Sequence, residues 1–374
     1  MSKMVNGITF STPEEAGVEQ LTPEEFAAAR AMFAAARRQA EDEQVNGPFY
    51  PAIEPYDHGM LEVGDGHSIY WEVSGNPDGK PAVVVHDIGA GGGRDVRQMF
   101  DPAVYRIVVF DQRGSGASTP HASEPTTSME FITTTHLLAD LERLRTHLRV
   151  DRWLIYAEAW GCAVALAYAE QYPQQVTELV LVEVALFRRE EINWLFGGLA
   201  RIMPAQWEIF TDELELIGAK EDPVAGYHTL LNHGELSVRE QAAASWCEWL
   251  GSVIARETPD APWPFSEHSA AELMAVARIG ANFFAHSAWL DDDQILRDIN
   301  RIAHIPVTLI QGELDLTTPA KNAWDLGRAL PNSLLYTDHE AGHMFGFGLL
   351  STAMYALEQF AADRPFTGWN SSMM

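Results

Sequence analysis

The sequence predicts an α/β fold, with a mostly parallel β-sheet covered by helices on both faces and a helical cap inserted into it. Short, continuously apolar segments alternate with helical segments before residue 187 and after residue 298. Uninterrupted apolar strands are typical of parallel sheets that are buried on both faces. Residues 187–298 break this alternation with helical patterns throughout, which predicts a cap inserted after a strand.

A hairpin opens the predicted sheet. Residues 60–63 and 68–73 are strand-like segments on either side of Asp65-Gly66, a dipeptide typical of two-residue hairpin turns. The valine- and isoleucine-rich residues 82–86 and 106–110 are predicted to be buried strands. The later elements alternate: helix 131–148, strand 153–157, helix 160–171, strand 178–183 and, after the cap, strand 306–311, helix 319–330, strand 333–337 and a helix from Phe345.

Three regions follow from this pattern. Residues 47–186 and 299–374 are predicted to form the core, residues 187–298 the cap, and residues 1–46 a helical extension. In the extension, Thr22 is the expected N-cap of a helix that runs to Arg38, with Pro23 at its first position. Phe26 and Phe33 share one face of that helix. We expect this face to contact the body or a second subunit, and therefore a homodimer through this helix.

Composition and charge narrow the range of partners. The chain has 374 residues, of which 47% are hydrophobic and 21% charged, and a formal net charge of −28. A surface this acidic repels phosphate backbones and anionic lipids, so we expect neither nucleic acid nor membranes as partners. We find no apolar segment long enough to span a bilayer and no basic, apolar signal pattern in residues 1–15. The expected location is the cytoplasm.

Metal and disulfide chemistry are not expected. Two cysteines, Cys162 and Cys247, do not make a disulfide framework in a chain of this length. Residues 339–343 (HEAGH) match the letters of a zinc-protease motif, which requires a helix that places both histidines on one face. This segment contains glycine and follows a predicted strand directly, so a loop is expected. The sequence predicts no metal and no cofactor.

Residues 153–162 (WLIYAEAWGC) carry the first chemical signal. They read as a strand, a tight turn and a helix, which is the architecture of the G-x-S-x-G nucleophile elbow. In that alignment Ala157 takes the first glycine, Ala159 the serine and Gly161 the last glycine. The methyl group of Ala159 cannot attack a substrate. The alternative interpretation is an ordinary turn from strand to helix.

Residues 86–93 (HDIGAGGG) carry the second signal. A glycine-rich loop after a strand can direct backbone N–H groups at a developing oxyanion, and we expect Ile88, Gly89 and Trp160 to contribute to such a site. A phosphate loop is the rival interpretation, but the segment lacks a Gly-Lys-Ser/Thr ending and a complete G-x-G-x-x-G. Asp87 and Glu158 lie near the predicted site and can supply further acid–base groups.

An acid and a histidine complete the set. Asp315 follows strand 306–311, and His343 follows strand 333–337. The chain order of elbow, acid and histidine is that of the α/β-hydrolase fold. In that arrangement Asp315 holds the tautomer of the imidazole and His343 moves the proton.

Together with the segments quoted next, these residues resemble the prolyl iminopeptidase family of α/β-hydrolases. The resemblance runs from about Gly47 to the C-terminus and is carried by residues 65–72 (DGHSIYWE), 74–81 (SGNPDGKP), 110–121 (FDQRGSGASTPH) and 322–326 (NAWDL). It implies the α/β-hydrolase fold and hydrolysis that releases an N-terminal proline without a cofactor.

The departures from the family fall on functional positions. Asp87, Ile88 and Ala90 interrupt the family's His-Gly-Gly-Pro-Gly-Gly-Gly loop, and Ala-Glu-Ala-Trp-Gly stands in place of Gly-Gly-Ser-Trp-Gly. The cap glutamates that the resemblance implies for binding an ammonium align with Gly197, Leu250 and Gly280. Aminopeptidase specificity is therefore not expected to carry over. The expected pocket residues are Trp194, Gly197, Trp246, Trp249 and Leu250, which suit an apolar or aromatic small molecule or peptide.

Three functions remain open at this point. The chain can be a serine-to-alanine form of a working amide or ester hydrolase, inactive and able to trap its ligand. It can be a natural lyase, cyclase, isomerase or cofactor-free oxygenase that uses His343 and Asp315 as a general base. It can also be a binding protein without activity. Cys162 is not expected to replace the serine, because it lies one helical turn beyond the elbow.

Overall fold

The computed structural model describes residues 3–5, 8–10, 49–89, 91, 93–257, 262–343 and 347–363. The chain forms two compact units, Met1–Phe49 and Tyr50–Met374. In the first unit, strands β1 (Lys3–Val5) and β2 (Ile8–Phe10) pair in antiparallel fashion. The helix predicted between Thr22 and Arg38 lies outside the described residues, and so does the homodimer contact predicted through it.

The second unit is built on an eight-stranded sheet. In spatial order its strands are β10-β9-β8-β7-β5-β6-β4-β3. Neighbours among β5 to β10 pair in parallel, whereas β3, β4 and β6 pair in antiparallel fashion at one edge. The predicted mostly parallel sheet is confirmed, and its antiparallel edge is the hairpin turning at Asp65-Gly66. The strands are β3 (Asp57–Gly64), β4 (His67–Gly75), β5 (Lys80–Val85), β6 (Tyr105–Phe110), β7 (Trp153–Glu158), β8 (Val176–Val182), β9 (Val307–Gly312) and β10 (Ser333–Asp338).

Helices cover both faces of this sheet, as the apolar strands predict. Apolar side chains of α1, α2 and α9 join the core on one face, and those of α10 join the core on the other. No helix in the described part of the chain combines the length and apolar character needed to cross a bilayer. In chain order the helices are α1 (Thr134–His147), α2 (Trp160–Gln171), α3 (Arg189–Leu195), α4 (Pro204–Glu215), α5 (Pro223–Leu231), α6 (Leu236–Glu257), α7 (Ala270–Ala285), α8 (Gln294–Asp298), α9 (Lys321–Ala329) and α10 (Phe347–Ala361).

Helices α3 to α7 form the cap and have an aromatic core of their own. The ring of Phe210 stacks on those of Tyr227 and Trp249, with centroids 4.5 and 5.2 Å apart. Trp246 stacks on Phe196 with centroids 4.9 Å apart. Such ring pairs add stability beyond the area that they bury. The tryptophan-rich composition of this region therefore serves mainly the cap's own packing.

The segment FDQRGSGASTPH has a structural role. Its Arg113 is buried and forms two hydrogen bonds with Asp140 of α1, at 2.6 and 2.9 Å. A third donor on the same guanidinium bonds the carbonyl oxygen of Val63, 2.9 Å away. Removing one partner from such a buried pair typically costs about 3–5 kcal/mol. This arginine thus ties the end of β6 to the hairpin and to α1.

Candidate active site

The turn between β7 and α2 has a strained backbone. Ala159 has φ 45° and ψ −119°, a conformation that residues other than glycine rarely adopt. Such residues typically cost about 1–3 kcal/mol and cluster at functional sites. Gly161 is required next to it, because a Cβ there would lie 2.2 Å from the carbonyl oxygen of Val85. The strain and the close approach match what the G-x-S-x-G interpretation requires of this turn.

The structure brings Asp315 and His343 into contact. They follow the adjacent strands β9 and β10, and Nδ1 of His343 lies 3.1 Å from Oδ2 of Asp315. Asp315 also accepts hydrogen bonds from the backbone N–H and the hydroxyl of Thr318, at 2.6 and 2.5 Å, and from Gln311 at 3.1 Å. These donors fix its carboxylate against the imidazole.

The segment HEAGH is not helical. His339 is exposed and contacts Glu313, whereas His343 is buried against Asp315. The two histidines therefore do not share a helical face, which the zinc-protease motif requires.

Glu257, at the end of α6, positions the histidine loop from the cap. One of its carboxylate oxygens accepts a hydrogen bond from the N–H of Leu316 at 2.8 Å, and the other accepts one from the N–H of His343. Gly342 is required there, because a Cβ would lie 2.4 Å from the side chain of Glu257. Sequence reasoning missed this residue, since it ends a long cap helix far along the chain from His343.

Sequence reasoning also missed Glu183, which directly follows β8. It is 2% exposed, and its Oε2 lies 3.6 Å from Nδ1 of His343. A signal was available, because an acid after a sheet strand is the observation that singled out Asp315. Burial disfavours the imidazolium, but the carboxylates of Asp315, Glu183 and Glu257 outweigh it and hold the pKa of His343 well above its usual value.

The carboxylate of Asp87 accepts a hydrogen bond from one of the backbone N–H groups of the predicted oxyanion site. The backbone N–H of Trp160 donates to Oδ1 of Asp87 at 3.2 Å. The loop before it is held by His86, whose ring nitrogens contact the carbonyl oxygen of Asp87 at 2.5 Å and the N–H of Gln112 at 3.0 Å. A carboxylate therefore lies where the predicted site needs a free donor for a developing oxyanion.

Above Ala159 lies a cavity of about 420 Å³. Its walls are mostly apolar, and four acidic side chains reach it: Asp87, Glu158, Glu183 and Glu191. Of the predicted site residues, those that line it are Asp87, Ile88, Glu158, Ala159, Trp160, Trp246, Leu250 and His343. Asp315 lies behind His343 and does not line the cavity.

Four predicted positions lie elsewhere. Trp194 donates its indole N–H to the carbonyl oxygen of Leu316, at 2.8 Å. Trp249 belongs to the aromatic core of the cap. Gly197 lies between α3 and a short 3-10 helix, outside the cavity wall. Gly89 packs its backbone on α7, where a Cβ would lie 2.6 Å from Cα of Val276. Trp194, Gly197 and Trp249 therefore do not line this cavity. Periodicity alone cannot distinguish residues that pack inside the cap from residues that form a pocket wall.

Glu183, Asp315 and His343 each offer one ligand atom within 4.8 Å of the others. Both oxygens of Asp315 already accept hydrogen bonds from Thr318 and Gln311. Metal-bound carboxylates direct an oxygen at the ion, so this arrangement fits a hydrogen-bonded acid–base cluster better. The absence of a cofactor stays a prediction.

The buried acids Glu158 and Glu257 each contribute stability that is lost as the pH rises from 5 to 8. Burial raises the pKa of Glu158 and that of Glu257 to about 7, so the folded chain binds protons in this range that the unfolded chain has released. The raised pKa of His343 acts in the same direction. Five histidines whose pKa values are lowered by burial act in the opposite direction: His67, His86, His121, His136 and His228. The contribution of Glu158 is therefore measured as a difference: we expect the Tm of Glu158→Gln, relative to that of the parent protein, to increase from pH 5 to 8 when thermal unfolding is followed by circular dichroism. A Tm difference between Glu158→Gln and the parent protein that stays constant or decreases over this range would contradict this assignment.

Comparisons with known proteins agree with this geometry. Residues 81–348 match the sequence profile of the alpha/beta hydrolase fold. A probable proline iminopeptidase of Streptomyces coelicolor is 43% identical over 79% of this chain and 93% of its own length. The proline iminopeptidase of Arabidopsis thaliana is 40% identical over 79% and 77%. The crystal structure of a proline iminopeptidase from Mycobacterium smegmatis superimposes with a TM-score of 0.54 at 18% identity, covering 82% of this chain and 98% of that one.

Proposed function

The chain belongs to the alpha/beta hydrolase fold family and, within it, to the proline iminopeptidase-like proteins. From this premise we propose that its cavity binds an apolar or aromatic small molecule or peptide, with an amide or ester bond placed at Ala159. In this form Ala159 stands at the position of the nucleophilic serine. The protein then binds its substrate and does not form an acyl-enzyme.

The backbone of Ala159 carries this proposal. A non-glycine residue at φ 45° stores strain that simple packing between a strand and a helix does not require. His343 lines the same cavity as Ala159 and contacts Asp315, and the chain order of the three residues is the one that α/β-hydrolases use. What is missing is the side-chain oxygen at position 159.

The shape of the cavity supports the substrate class. Trp246, Leu250 and Phe284 are among its apolar walls, and apolar walls with few polar groups are typical of small-molecule sites. Leu250 and Gly280 line it at positions where the resemblance implies ammonium-binding acids. Glu191 does not replace them, because its carboxylate already accepts hydrogen bonds from the N–H groups of Leu186 and Phe187. We therefore propose a substrate other than an N-terminal proline peptide.

The contact between Asp87 and Trp160 favours a second candidate. A carboxylate on that N–H competes with an oxyanion, whereas it suits proton transfer. In this candidate His343 and Asp315 serve as a general base without a covalent intermediate, and the reaction is a lyase, cyclase or isomerase step.

One experiment separates the two candidates. The protein and His343→Ala are incubated with a panel of apolar esters, amides and carbonyl compounds, and the mixtures are followed by mass spectrometry and by tryptophan fluorescence. The first candidate expects binding without conversion by either protein. The second expects conversion that His343→Ala reduces by about a hundred- to ten-thousand-fold. Conversion that persists in His343→Ala contradicts both.

A further inference from the structure

Glu183 lies after β8, in the middle of the sheet, and faces the same imidazole nitrogen as Asp315. Its Oε2 is 3.6 Å from Nδ1 of His343, and Oδ2 of Asp315 is 3.1 Å from that atom. We propose that Glu183 is a second acid partner of His343, a positioning residue that orients the imidazole together with Asp315 and can hold it when Asp315 is lost. The geometric part of this proposal stands on its own, and only its kinetic consequence rests on the proposed function.

Three unfavourable features meet at Glu183. Its backbone has φ 56°, where a residue other than glycine is strained. Its carboxyl group is buried, with 2% of the residue exposed. Its Oε1 has no hydrogen-bond partner among the described residues, although the side chain lines the cavity. Buried polar atoms are rarely left unpaired without a functional reason. Glycine adopts this φ freely, so the stability of the fold alone would favour glycine over glutamate at this position.

The charges around the imidazole agree with two partners. Asp315 faces His343 from the loop after β9, Glu183 from the end of β8, Glu257 from α6 and Glu158 from β7. Of these four acids, Asp315 and Glu183 come within 4 Å of its Nδ1, and the hydroxyl of Thr318, which donates to Asp315, lies 3.3 Å from the same atom. Burial and the neighbouring carboxylates raise the pKa of Glu183, while His343 opposes this rise. Glu183 is therefore the acid nearest to Nδ1 after Asp315 that can stabilise the imidazolium.

The first test measures the pKa of His343 by NMR titration of its imidazole, in the protein as it stands. The resonance is assigned by its loss in His343→Gln. Removing an acid at this distance destabilises the imidazolium, so Glu183→Gly is expected to lower the pKa of His343 by about one to three units. Glycine relieves the strain at φ 56°, so this variant is expected to fold, and Glu183→Gln provides a second variant of native size.

Glu170→Gln is the control for this titration. Glu170 is a buried carboxyl group on α2, and its charged neighbours are Asp298, Arg301 and Arg297 rather than His343. It should leave the pKa of His343 unchanged. An unchanged pKa in both Glu183 variants overturns the proposal.

The second test uses Ala159→Ser as the background. Loss of the triad acid typically reduces kcat by about ten-thousand-fold. Because Glu183 can still orient the imidazole, Asp315→Asn is expected to reduce kcat by markedly less than this factor. Asp315→Asn combined with Glu183→Gly is expected to reduce kcat by the full factor. The pH profile of kcat/KM should also move to lower pH in Glu183→Gly, because the neutral imidazole then forms at lower pH. A full loss in Asp315→Asn alone overturns the proposal. Inactivity of the serine background refutes the proposed function instead, and the NMR titration then decides the role of Glu183.

Discussion

Ala159→Ser is expected to produce a covalent hydrolase, with turnover of apolar aryl esters raised at least about a thousand-fold over the Ala159 protein. The strained turn directs the side chain of residue 159 into the cavity that His343 also lines. A hydroxyl there can pass its proton to the imidazole and attack a carbonyl carbon. Turnover is measured with p-nitrophenyl esters, and the adduct with a fluorophosphonate probe is measured by intact mass spectrometry.

Ala159→Gly is the control, because it changes the same position without adding a nucleophile and glycine adopts this φ freely. It should form no adduct. Proline p-nitroanilide should remain a poor substrate of Ala159→Ser, since Leu250 and Gly280 line the cavity. If Ala159→Ser forms no adduct, position 159 is not the nucleophile position. Efficient release of proline would instead refute the proposed substrate class.

Asp87→Ala in the Ala159→Ser background is expected to raise kcat by a further hundred- to thousand-fold, about what one oxyanion donor contributes. The substitution frees the N–H of Trp160 and removes a negative charge from the place where an oxyanion would develop. Steady-state kinetics on the same esters measures the change. Glu158→Gln is the control, since it neutralises another carboxyl group of the same cavity, one that accepts a hydrogen bond from the hydroxyl of Tyr156.

The opposite result would also be informative. If the Ala159 protein converts a substrate and Asp87→Ala abolishes that conversion, Asp87 takes part in acid–base chemistry. This result would refute the covalent hydrolase and support the second candidate, in which His343 and Asp315 act as a general base.

The sequence predicted the sheet well because its strands are nearly uniform in character. Residues 82–86 and 106–110 are so rich in valine and isoleucine that a buried parallel strand is the natural interpretation, and β5 and β6 lie there. The cluster of Ala159, Asp315 and His343 followed from the same order, because parallel strands end at one edge of a sheet.

The cavity wall was harder to predict for a physical reason. Trp246 and Trp249 lie three positions apart on α6 and are both buried, yet only Trp246 lines the cavity. Which face of a cap helix meets the cavity depends on how the helices cross, and periodicity does not encode that. Glu257 escaped notice for a similar reason, because its contacts with Leu316 and His343 join positions 59 and 86 residues away along the chain.

The separate aromatic core of the cap has an evolutionary consequence. Because Phe210, Tyr227 and Trp249 pack against one another, substitutions on the cavity side of the cap can accumulate without destabilising the sheet. Relatives can in this way diverge in what they accept while they inherit the same scaffold. Glu257 limits this freedom, since any cap exchanged between relatives must still bring a carboxylate to the backbone of Leu316 and His343. Whether chimaeras that join caps and sheets from different relatives fold and function should therefore depend on this contact between the cap carboxylate and the two backbone N–H groups.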